Sequence, residues 1–184
     1  MKKLVALFVA LLLSGNCGAD RERAPYPKVT VSVMGQAVFV MLPAFQGDEV
    51  KWGDGKGIMY ALKGDGSFEK KWEISGWYAH EVIPSDDAEF LVRIGDWPRG
   101  AGPKKEDLAV EFYRRGKFVA SYSTFDLVKD HRKVRRSVSH YDWLAEGPPS
   151  LIHETEFSLT TIDGRNIVFD LTSGAITKVY EPNQ

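Results

Sequence analysis

The sequence predicts an all-β fold, an antiparallel meander forming a sandwich or a barrel. Three observations lead there. Apolar residues recur with period two along most of the chain, Gly- and Asp-rich turn signals break that pattern into short runs, and only one stretch carries a helix signature. A dozen or so short strands with almost no helix leave sandwiches, barrels and, as an alternative, a partial propeller-like sheet stack.

Taken in order, Val29, Val31 and Val33 alternate with Thr30 and Ser32, and Gly35-Gln36 turns the chain into the apolar run Ala37 to Leu42. Glycine in first place predicts a two-residue type II′ turn there. Strands follow over Ile58 to Leu62, over Phe68 to Ile74 beyond the Gly64-Asp65-Gly66 turn, and over Trp77 to Ile83 after Ser75-Gly76. In Glu89 to Ile94, Phe90, Val92 and Ile94 share one face and Leu91 and Arg93 the other. Trp97 to Lys105 is a loop rich in Pro and Gly. Leu108, Val110 and Phe112 then pair across Arg115-Gly116 with Phe118, Ala120 and Tyr122.

Ser123 and Asp126 have capping-box spacing ahead of Leu127 and Val128, which predicts one short helix near 124–130. Strands are expected again at Val138 to Leu144 and, past Gly147-Pro148-Pro149, along Ile152 to Thr161. Asp163-Gly164 closes a hairpin onto Asn166 to Leu171, and Thr172-Ser173-Gly174 closes the last one onto Ala175 to Tyr180.

At the start of the chain Lys2 and Lys3 precede the apolar run Leu4 to Leu13, and small residues close the segment at Ala19. This is the pattern of an export signal, and the run is too short to span a bilayer, which takes about 20 apolar residues. The expected organisation is a signal peptide over 1–19, an extended segment over 20–28 holding Pro25 and Pro27, a single β domain over 29–180 and a tail over 181–184. Order is expected to begin near Val29. Cleavage after Ala19 gives a free periplasmic product. Leu13-Ser14-Gly15-Asn16-Cys17 resembles a lipobox, whose cysteine is acylated, although Asn16 departs from the Gly or Ala of that pattern. Lipidation at Cys17 would make the protein a membrane-anchored lipoprotein.

Composition narrows the function classes. Cys17 is the only cysteine, which excludes a disulfide framework and cysteine-ligated zinc. The whole chain has 24 basic and 25 acidic side chains, and loss of Lys2 and Lys3 with the leader makes the remainder more acidic still. A nucleic-acid partner would call for a basic excess. No GxSxG elbow, HExxH, phosphate loop or EF-hand spacing occurs, so neither a cofactor nor a metal is expected.

Candidate site residues lie in the second half. Lys129-Asp130-His131-Arg132-Lys133-Val134-Arg135-Arg136 is a basic run whose Arg132, Lys133, Arg135 and Arg136 could grip an anion. His140 and Asp142 share one face of the predicted strand, as an orienting carboxylate and a base would, whereas Ser139 points to the opposite face. His80 and His153 fall in phase with apolar neighbours and read as packing residues, and His131 as a solvated one. Of the tryptophans, Trp77 and Trp143 sit within predicted strands and read as core. Trp97, beside Pro98 and Gly100, is the one placed to meet a ligand.

Two resemblances accompany this reading. Ile162 to Ile176, with its Asp163-Gly164 turn, Phe169-Asp170 pair and Thr172-Ser173-Gly174 turn, resembles the inner hairpins of β-propeller blades, and Ser85 to Arg93 resembles a poorer copy. The stretch from Trp77 to Trp143 resembles uncharacterised exported bacterial proteins, a likeness that implies export and no activity. The expected function is an exported, non-catalytic cell-envelope binding or assembly module that grips an anionic glycan, lipid or envelope protein through the basic loop. The alternative is an envelope hydrolase with a dispersed site near His140 and Asp142. Membrane contact is expected only through a lipid anchor.

Overall fold

The computed structural model describes residues 21–182 except Asp96 and Glu154. The segment 1–19 expected to be a signal peptide, with Cys17, lies outside the described residues. The chain is all-β, and its strands are antiparallel neighbours in sequence. β1 (Lys28–Val31), β2 (Ala37–Gln46), β3 (Glu49–Leu62) and β4 (Phe68–Ser75) form the first four-stranded sheet in the order β1-β2-β3-β4. β5 (Val82–Pro84), β6 (Phe90–Ile94), β7 (Leu108–Arg114) and β8 (Lys117–Ser123) form the second in the same manner. A short helix, α1 (Thr124–Leu127), one 3-10 turn at His131–Lys133 and the two-residue strands β9 (Arg135–Arg136) and β10 (Tyr141–Asp142) link it to the third. That sheet holds β11 (Ser150–His153), β12 (Glu156–Thr160), β13 (Asn166–Asp170) and β14 (Ile176–Tyr180).

The three four-stranded sheets make two sandwiches that share the middle sheet, and β9 pairs with β10 as a separate two-stranded sheet. Period two explains why β6 can serve both. Phe90, Val92 and Ile94 join Phe112 of β7 in a core with Phe157, Leu159, Ile167 and Phe169 of the third sheet. The alternate residue Leu91 joins Tyr113, Trp77, Phe39, Met41 and Met59 in a second core against the first sheet. Aromatic rings carry much of each contact: Phe112 lies 5.1 Å from Phe169 in one core, and Trp77 stacks at 5.5 Å on Tyr113 in the other. Among the described residues the sheets do not close into a barrel. At one end the turns at Val33–Met34 and Ser85–Asp87, which leave the first strands of the first two sheets, and the end of β11 at Leu151–His153 line a shared cavity of ≈ 240 Å³.

Several local expectations need correction. The first hairpin is not a two-residue turn. Ser32 N–H donates to Ala37 O, Gly35 N–H donates back to Ser32 O, and Gly35 takes φ +74° in third place of a four-residue loop. β3 begins at Glu49, nine residues earlier than expected, because pairing with the long β2 carries it through a glycine-rich stretch. The predicted strand Trp77 to Ile83 keeps only its end as β5, and Trp77, Tyr78 and Ala79 are buried outside any strand. The predicted strand Ile152 to Thr161 is a hairpin, β11 and β12, so His153 is exposed and not a core-edge residue. Val138 to Leu144 is not a continuous strand either: β10 and two isolated bridges, Arg99 to His140 and Leu144 to Thr161, replace it.

The helix forms as the capping box requires. Ser123 Oγ accepts from Asp126 N–H, and the Asp126 carboxylate accepts from Ser123 N–H at 3.0 Å. Order begins before Val29, since the N-terminal segment is docked from Glu22 onward. Pro25 is buried, Tyr26 N–H donates to Tyr78 Oη, Tyr78 Oη–H donates to Tyr26 O, and Lys28 Nζ donates to His80 O. Arg99 pairs with Glu22 at 2.6 Å.

Candidate functional site

The loop between β6 and β7 carries Trp97 with φ +36°, a left-handed conformation that costs a non-glycine residue of order 1–3 kcal/mol. Its indole lies on the His140 imidazole, ring centroids 3.9 Å apart and planes 25° from parallel. Trp97 is half-buried and lines four adjoining depressions. One of them, ≈ 310 Å³, also holds Arg135, His140 and Asp142. Four of the residues singled out from sequence, Trp97, Arg135, His140 and Asp142, therefore meet at one place. The Arg99 to His140 bridge and the β9 to β10 pairing of Arg135 with Asp142 bring them together.

The electrostatics of this cluster are internally matched. Arg135 Nε lies 3.4 Å from Asp142 Oδ2, and its Nη1 lies 3.3 Å from Glu146 Oε1. Arg132 closes on Asp130 through both Nε, 2.8 Å, and Nη2, 2.9 Å, and this guanidinium holds the Asp130 carboxyl down at about 2. Lys133 and Arg136 are exposed. The basic run is thus a braced loop with its own acidic partners, and its cationic face is narrower than the sequence suggests. Asp163, buried in the β12 to β13 turn, anchors it by accepting from Lys129 N–H at 2.8 Å and Asp130 N–H at 2.9 Å. Burial raises the Asp163 carboxyl, but the Thr161 hydroxyl, those two backbone donors and Arg165 outweigh it and leave the group below its ordinary value.

Ser137, His140 and Asp142 are the groups at this place with acid–base or nucleophilic chemistry. Ser137 reaches His140: its Oγ lies 2.6 Å from Nδ1. That oxygen also accepts from the backbone N–H of Ser139 and of His140, so it already closes a turn. Asp142 Oδ1 is 3.7 Å from His140 Nε2, beyond hydrogen-bond range, and its other oxygen faces Arg135. Among the described residues no three His, Cys, Asp or Glu side chains converge as a metal site.

Two tryptophans read as core, Trp77 and Trp143, are buried at 7% and 3% exposure. Sequence reasoning missed Trp52. Between the pairs Ala44 with Lys51 and Pro43 with Gly55, residues 52–54 of β3 have no counterpart on β2. This wide bulge, with Gly53 at φ +77°, pushes Trp52 out to 52% exposure. Trp52 and Trp97 line the same depression of ≈ 410 Å³ together with Glu22, Arg99 and Asp107. The Trp52-Gly53-Asp54-Gly55 string was the available signal, since two glycines inside a strand mark a bulge. Glu22 had none, because it belongs to a segment expected to be free. No helix among the described residues is long and apolar enough to cross a membrane. No protein-family model matches the chain, and the curated proteins contain no match to it.

Proposed function

We propose that the chain is an exported, non-catalytic binding module of the cell envelope, which holds its partner in the cleft around Trp97 with the basic loop at the rim. The observation that carries this reading is the Trp97 to His140 stack at the junction of four depressions, on a backbone strained at Trp97. Strain of that kind persists only where the surroundings enforce it, and it concentrates at binding sites. Concave, partly aromatic surfaces with a few fixed polar groups are the usual form of such sites. Export rests on Lys2, Lys3 and the apolar run to Leu13, and a periplasmic or lipid-anchored location on how the segment ending at Ala19 is processed.

The hydrolase reading takes its support from the Ser137 Oγ to His140 Nδ1 contact of 2.6 Å. The turn-closing role of Ser137 makes it the weaker of the two.

Co-sedimentation with purified envelope fragments tests the binding reading. Wild-type protein is expected to sediment with them, Trp97→Ala to lose most of that association, and the Arg132, Lys133, Arg135 and Arg136 to Ser variant to lose its salt-sensitive part. Equal sedimentation of wild type and Trp97→Ala would overturn it.

A further inference from the structure

We infer that the depression between Trp52 and Trp97 is a subsite for a neutral or N-acetylated pyranose ring of an envelope glycan, an inference that rests on the binding reading above. Two unrelated backbone distortions converge there. A three-residue bulge in β3 ejects Trp52, and a left-handed residue in the β6 to β7 loop presents Trp97. Either ring alone would be an ordinary surface aromatic. Both of them lining one depression of ≈ 410 Å³, a size suited to a small ligand, is a built arrangement.

The chemistry of the walls selects the occupant. An indole face carries negative quadrupolar charge and attracts polarised C–H groups, which a pyranose presents on its apolar face. The sugar's hydroxyls need acceptors and donors around the ring edge. Glu22 and Asp107 supply carboxylate acceptors, and the Arg99 guanidinium supplies donors. These groups are held in place beforehand: Arg99 is ion-paired to Glu22 at 2.6 Å, and Asp107 accepts from Tyr141 Oη–H at 2.7 Å. Two carboxylates against one guanidinium give the pocket a negative balance. A sugar carrying its own carboxylate is therefore disfavoured, and an anionic group elsewhere on the same polymer would face the basic loop instead.

Glu22 gives the site a further property. It comes from the N-terminal segment, which Tyr78 and His80 clamp over the β5 end of the middle sheet. The subsite is complete only with that segment docked, so a form of the protein beginning at Val29 would retain the tryptophans and lose one wall.

Titration of the protein with N-acetylchitotriose, maltotriose and trigalacturonate, read by tryptophan fluorescence and calorimetry, tests the inference. Saturable binding of at least one neutral trisaccharide is expected, at about millimolar affinity or tighter, with trigalacturonate weaker. Trp52→Ala sits on an exposed bulge and should fold normally while weakening binding about tenfold or more. Glu22→Gln should keep both stacking rings and weaken binding by a smaller factor. No saturable binding of any neutral saccharide, or unchanged binding by Trp52→Ala, would overturn the subsite. If envelope sedimentation still depends on Trp97 in that event, the cleft binds something other than a sugar and only the glycan assignment fails. If sedimentation is independent of Trp97 as well, both readings fail.

Discussion

The Trp97 indole is laid against the His140 imidazole at 3.9 Å, and this stack joins the β6 to β7 loop to the segment before β10. Each residue alone would sit in a loop with no ladder to hold it. Together with the Arg99 to His140 bridge they give the cleft one rigid wall. The His140→Ala variant should lose about 0.5–1.5 kcal/mol of stability and show a red-shifted Trp97 emission as the ring becomes more solvated. His140→Phe, which retains an aromatic plane, should restore the emission and most of the envelope association. A base acting in catalysis would not be rescued by phenylalanine.

Asp163 ties the basic loop to the third sheet through the backbone N–H groups of Lys129 and Asp130. Asp163→Ala leaves those donors without their carboxylate and should cost about 2 kcal/mol or more in urea unfolding, with Asp163→Asn costing less. The folded carboxyl lies below its ordinary value of 3.8. Its contribution is thus fully present above that ordinary value and fades as the pH falls through the lower folded value. The stability gap between wild type and Asp163→Asn should therefore shrink from about pH 5 to about pH 2. A gap that widens on acidification would contradict the assignment.

Packing of the third sheet on the middle one is tested at Gly174. This residue takes φ +71°, and a Cβ there would lie 2.3 Å from the Cβ of Ala120 on β8. Gly174→Ala should destabilise by about 1–3 kcal/mol or more, whereas Gly64→Ala, where a Cβ meets nothing within 4 Å, should stay within about 0.5 kcal/mol. Thermal melts of the two variants side by side give the comparison.

What could be read from sequence follows from what is local. Hairpins with strong turn chemistry and alternating flanks, such as β7 to β8 across Arg115-Gly116, are set by neighbours a few residues apart, and they form as expected. The capping box at Ser123 and Asp126 is local too. The Ile152 to Thr161 stretch shows the limit, because the connection between β11 and β12 has no glycine or proline to announce a turn. The site was legible residue by residue and not as a cluster. Trp97, Arg135, His140 and Asp142 each stood out. Their meeting depends on a bridge between residues 99 and 140, and their neighbours Trp52 and Glu22 arrive through a bulge and a docked terminus that no local pattern specifies. Ion pairing worked the other way, since the carboxylates of Asp142 and Glu146 that partly neutralise Arg135 are distant from it in sequence.

One face, the Trp97 cleft, is proposed to do the binding. The five tryptophans provide five separate indole N–H probes spread over the molecule, with Trp72 and Trp77 in the core against the first sheet, Trp143 in the other, and Trp52 and Trp97 at the cleft. Following those five signals by NMR while solubilised envelope material is added is the most direct measurement. The Trp52 and Trp97 resonances should shift and broaden while Trp72 and Trp77, which line none of the four depressions at Trp97, stay in place. Binding that leaves Trp52 and Trp97 unmoved, or no change in any of the five, would contradict the account.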